Sequence, residues 1–156
     1  MSAAGKVRWR RRAAFHEVGH AVANVVLGHQ CSTASVYDAP RISAIGLPCF
    51  GEVLTDPELI YPAIEIAVSC LAGPIAEARY TKRSLISCPL GRGSSDFENA
   101  QAALCESRFT YADAERQAHE LVTESWQAIE ATASALIVCG TVGQGTLALI
   151  CSGGAL

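Results

Sequence analysis

The sequence predicts a single, mainly α-helical domain that carries a small β-sheet. Three observations predict it. Half of the 156 residues are hydrophobic and 17% are charged, which suits one substantial core at this length. Several long stretches repeat apolar residues at three- and four-residue steps. Residues 31–54 instead mix Ser, Thr, Val, Tyr, Ile and Phe with Pro40, Gly46, Pro48 and Gly51, a composition that suits two or three short strands with turns. Residues 1–156 are read as one domain.

The first helix is expected from about Arg8 to Leu27, with Phe15, Val18, Val22, Val25 and Val26 as its apolar stripe and Gly28 as a left-handed stop. After the strands, Asp56-Pro57 reads as a helix start that Pro62 delays by up to one turn. That helix should run to about Tyr80, with a kink at Gly73-Pro74. Residues 81–94 are rich in Ser, Gly, Pro and basic residues and read as a loop. Ser95 and Glu98 have the spacing of a capping box, which places Asp96 in the first turn of a new helix that fades near Ser107. A last long helix should open at Thr110 to Asp113 and bury Ala114, Ala118, Leu121, Val122, Trp126, Ile129, Ala133 and Leu136.

From Ala131 to Leu156 no residue is charged, a length that could span a bilayer. Gly140, Gly143, Gln144, Gly145, Gly153 and Gly154 interrupt it, so a buried helix, a turn and a short second helix are expected instead. The net charge of −3 argues against a nucleic-acid surface, and the basic cluster Arg8 to Arg12 is too short to reverse that. The seven cysteines form no CxxC pair, and no apolar leader is visible. Free thiols in a cytoplasmic setting are the expectation.

The sharpest chemical signal is His-Glu-Val-Gly-His at residues 16–20. Histidines at i and i+4 share one helix face, so both imidazoles of His16 and His20 can reach one metal ion. Glu17, one residue round, can face the open side of that ion and accept a proton from water there. A catalytic zinc needs a third protein ligand. The extended HExxHxxGxxH pattern is absent, with Ala23 and Val26 at its Gly and His positions. His29 and His119 lie in no motif and have surface or core roles by default. Two carboxylates compete for the third place. Asp96 projects from a helix start, where it serves equally well as a dipole partner. Glu77 falls on the stripe Ile66, Cys70, Gly73, Glu77, continued by Tyr80, so it faces inward. There it is a ligand or the acceptor that orients a ligand histidine.

The segments around these residues resemble the peptidase domain of the FtsH family, membrane-anchored zinc proteases driven by ATP. Ala13 to Val22 is similar to the family's metal helix, with Val18 where HEAGH has Ala. Leu71 to Glu77 resembles its second helix with an inward Glu, and Gly93 to Ala100 resembles the GxSxD segment that opens the next. The match covers roughly residues 10–150. The resemblance implies a zincin-like fold, Asp96 as third zinc ligand, and Glu77 beside the metal as a supporting residue. The chain has no Gly-rich phosphate loop with Lys-Ser/Thr, so ATP use is not carried over.

Together these readings lead to a zinc-dependent metallopeptidase that hydrolyses peptide bonds without ATP. Zinc is the expected cofactor, on His16, His20 and Asp96, with Glu17 as general base. A strand within residues 33–53 is expected to hold an extended peptide or unstructured protein by backbone pairing. Tyr37, Tyr61, Tyr80, Tyr111 and His119 are the conceivable oxyanion donors. No nucleic-acid or membrane partner is expected; an oligomer or a separate partner chain remains open, since the uncharged tail could meet one. The alternative is a non-catalytic zinc-binding module that acts through a partner.

Overall fold

The structure is a computed structural model that describes residues 3–42, 48–55, 59–85 and 93–154. Among the described residues six helices and three strands run in the order α1 (Ala3–Val26), β1 (Cys31–Ile42), β2 (Pro48–Thr55), α2 (Ala63–Thr81), α3 (Gly93–Leu104), α4 (Tyr111–Glu124), α5 (Trp126–Cys139), β3 (Thr141–Gly143) and α6 (Gln144–Cys151). The strands form one antiparallel sheet in the order β2-β1-β3. The expected class, mainly α with a small sheet, is what the chain adopts.

Helix α1 is the centre of the molecule. It packs against α2, both long strands, α4, α5 and α6, and residues 12–19 are buried without interruption. One apolar stripe is therefore too narrow a description: this helix is enclosed nearly all round, and its partners rather than its amphipathicity fix its place. Its last turn escapes, and Val26 is 51% exposed. Gly28, at φ +77°, ends the helix in the left-handed region as expected. Phe15 stacks on Tyr80 of α2 and on Trp126 of α5, at centroid distances of 4.0 and 5.7 Å, which ties three helices together.

Several boundaries differ from expectation. Helix α1 begins five residues before Arg8. Pro62 caps α2, so the helix opens at Ala63; Asp56-Pro57 lies outside the described residues. Helix α2 runs through Gly73-Pro74 as one element. Ser95 lies inside the first turn of α3 rather than at its cap, because the helix already opens at Gly93. The capping box at Thr110 and Asp113 is formed, but the long helix after it is two: Ser125 ends α4 and begins α5. Gly140 then turns the chain into β3, where Val142 pairs with Ala34 before α6 follows. That short strand was not expected. Among the described residues no helix is long and apolar enough to cross a membrane, and six cysteines are free.

Candidate metal centre

Two rows of side chains at four-residue spacing build the site, one on each of the antiparallel helices α1 and α2. Arg12, His16, His20 and Asn24 form the α1 row; Glu65, Ser69, Gly73 and Glu77 form the α2 row. Residues four apart lie nearly above one another on a helix, so the rows meet tooth to tooth. Glu77, 1% exposed, receives Nε and a terminal NH₂ of Arg12 on Oε1 and lies 3.2 Å from His16 Nδ1 through Oε2. His20 Nδ1 donates to the Ser69 carbonyl at 2.8 Å. The Ser69 hydroxyl donates to Asn24 Oδ1 at 2.7 Å, and His29 links Asn24 to Glu65.

The helices approach this closely because glycines face each other. A Cβ on Gly19 would stand 2.5 Å from the Ala72 carbonyl and 2.8 Å from Gly73 Cα, and one on Gly73 would collide with the His20 ring. Gly73 thus leaves room for a histidine.

With both Nδ1 atoms engaged, both Nε2 atoms are left to turn the same way. His16 Nε2 and His20 Nε2 lie 3.2 Å apart. Asp96, in the first turn of α3, brings Oδ2 to 3.2 Å from the first and 3.8 Å from the second. Ligand atoms at bonds of about 2.0–2.1 Å around a tetrahedral ion stand roughly 3.4 Å apart. The three edges fit that spacing, so His16, His20 and Asp96 are a group that could hold a metal ion. Glu77 is not in that group. It is engaged on the far side of the His16 ring.

The electrostatics suit a cation. Burial pulls His16 down, but its bonds to Asp96 and Glu77 and the charge of Glu17 outweigh that and push it up to about 10. His20 is lowered, chiefly by burial and further by His16, against the pull of Asp96. A positive charge is therefore already favoured where an ion would sit. Burial, with Asp96 nearby, raises the Cys70 thiol to about 11, so it is an inert wall rather than a nucleophile.

The group opens into a cleft of about 390 Å³ lined by Glu17, Asn24, Cys49, Gly51, Glu52, Val53, Thr55, Ser95 and Asn99 among others. Glu17 stands against β2, where a Cβ on Gly51 would lie 2.9 Å from its carboxyl carbon. Among the described residues β2 is an outer strand of the sheet, paired with β1 on one side only. None of the tyrosines lines this cleft. Tyr37 donates to Glu52, Tyr61 stacks on His29, and Tyr80 on Phe15. His119 is exposed on α4.

No family model matches the chain, and no curated protein matches it either.

Sequence reasoning found His16, Glu17, His20, Asp96 and Glu77, and the structure brings all five to one place. It missed Ser69, Gly51 and the parts that Gly73 and Arg12 play. Its stripe on α2 held at Gly73 and Glu77 but was one residue late at the start, since Ile66 is 37% exposed and Glu65 and Ser69 belong to the row that meets α1. The repeat of polar or small residues at 65, 69, 73 and 77 was the signal available.

Proposed function

We propose that the chain is a zinc-dependent metallopeptidase with a zincin-like domain of the FtsH peptidase type, acting without ATP. The observation that carries this reading is the convergence of His16, His20 and Asp96 on one point at the floor of a cleft, with Glu17 beside it. Two imidazoles and one carboxylate are the donor set of a hydrolytic zinc site with a position left open. When bound, zinc supplies Lewis acidity, polarising a carbonyl and acidifying water.

The chain's own residues do the rest. Glu17, held between α1 and Gly51, takes a proton as general base and returns it to the leaving amine. Glu77 accepts from His16 Nδ1–H and the Ser69 carbonyl from His20 Nδ1–H, which fixes both rings with Nε2 towards the cleft. Strand β2 lines the cleft and, among the described residues, pairs on one side only, so its other edge can pair with an extended peptide, the mode by which a strand is added to a sheet. The substrate class is accordingly flexible peptide or unstructured protein.

The test is digestion of an unstructured protein by the purified chain, with and without a chelator, alongside Asp96→Ala and metal analysis. Cleavage lost on chelation and restored by zinc, with zinc lost in Asp96→Ala, supports the reading. Stoichiometric zinc with no cleavage of any unstructured substrate would instead assign a non-catalytic metal-binding module.

A further inference from the structure

We propose that the cleft between the N-terminal half of α1 and the C-terminal end of α2 is a binding site for a phosphate-class oxyanion. The charge map motivates it. Five of the chain's 12 basic residues fall in residues 1–16 and four in residues 78–95, and neither segment contains an Asp or Glu, although the chain is acidic overall. The antiparallel pairing of α1 and α2 brings the two segments side by side. Arg8, Arg12, Tyr80, Thr81 and Arg83 line one cleft of about 300 Å³.

Most of the neighbouring cations already have a task. Arg10 pairs with Asp38. Arg12 spends Nε and one NH₂ on Glu77 and lies over Trp9. Arg79 donates to Thr123 and covers Trp126. Arg8 and Arg83 are different: among the described residues neither pairs with a carboxylate.

A solvated helix end does not account for the arrangement. The C-terminus of a helix presents about half a negative charge, and Arg79 in the last turn with Lys82 at the cap already exceeds that. Arg83 and, from the facing helix, Arg8 add like charge to the lining of one small cleft. A cleft lined by one sign of charge concentrates the opposite ion. Guanidinium forks match the paired oxygens of carboxylate and phosphate alike, and two forks in one cleft suit phosphate, which presents more oxygens than a carboxylate does. The basic surface ends in a pocket rather than a stripe, which suits a single phosphate group, free or as an ester, over a polymer backbone.

The experiment is calorimetric titration of the full chain, freed of metal so that the zinc site cannot take the anion, at constant ionic strength. Inorganic phosphate and glycerol 2-phosphate are titrated in parallel into the wild-type chain and into Arg8→Gln, Arg83→Gln and Arg116→Gln. Arg116 pairs with Glu120 on α4 and serves as the control. Saturable binding in the millimolar range or tighter, weakened about tenfold in Arg8→Gln and in Arg83→Gln but not in Arg116→Gln, is expected. Tighter binding of the ester assigns a phosphorylated ligand; equal or weaker binding assigns the free ion. No saturation at tens of millimolar, or equal binding in all variants with native circular dichroism, overturns the site.

Discussion

Gly73 and His20 face each other so closely that the space for a Cβ at 73 is occupied by the imidazole of His20. The metal-facing direction of that ring is thus set by two groups of α2: the Ser69 carbonyl that holds its Nδ1 and the missing side chain one turn further on. Gly73→Ala is expected to turn the ring or part the helices. Zinc affinity should fall by about 10–100-fold, the usual effect of disturbing the groups behind a ligand. Competition with a colorimetric chelator measures it, and undiminished affinity would show that the ring is not positioned by this contact.

Gly51 stands in the same relation to Glu17. Its Cβ would fall against the Glu17 side chain and 2.7 Å from the Ser35 carbonyl. Gly51→Ala should therefore retain zinc while kcat drops by about 10²-fold, the scale of misplacing a reacting group by an ångström. Steady-state kinetics with zinc analysis on the same preparation separates the two effects.

Arg12 and Glu77 are a buried ion pair, with side chains 9% and 1% exposed. Removing one partner leaves the other charge buried and uncompensated, which costs about 3–5 kcal/mol. Arg12→Met should lower stability to urea by that amount in the metal-free chain. A loss below about 1 kcal/mol would mean that Glu77 finds its compensation elsewhere.

The elevated His16 gives a pH dependence whose sign is fixed. Its ordinary value is 6.5 and its folded value about 10. In the metal-free protein the protonated ring stabilises the fold in full below pH 6.5, and that stabilisation is lost as pH rises towards 10. Metal must displace the same proton. Zinc uptake at pH 7 should release about one proton, and affinity should climb with pH up to about 10. His20 is lowered and contributes no proton there. Calorimetry in buffers of different ionisation enthalpy counts the protons; a count of zero at pH 7 contradicts the charge pattern around His16.

Much of the site was legible in the sequence because helix periodicity is short-range. His16 and His20 share a face by spacing alone, Glu77 lay on an inward-facing stripe, and Asp96 followed a helix-start signal. What depended on contact between helices was not legible. On α2 the stripe was right at Gly73 and Glu77 but misplaced at its start, because Ile66, apolar yet 37% exposed, looked like part of it, while polar Glu65 and Ser69 carry no apolar signal. Strand β3 is three residues long and exists only because Val142 finds Ala34 across more than a hundred residues. The break at Ser125 removes no apolar periodicity, so Leu121, Val122, Trp126 and Ile129 read as one stripe across two helices.

The central claim is that Glu17 performs the proton transfer beside a metal held by His16, His20 and Asp96. Glu17→Gln keeps the size of the side chain and leaves all three ligands untouched. Zinc content and cleavage of an unstructured protein, measured on one preparation of this variant, test the claim most directly. The expected result is one zinc per chain with cleavage lower by at least about 10³-fold. Full zinc with cleavage at the wild-type rate would contradict it.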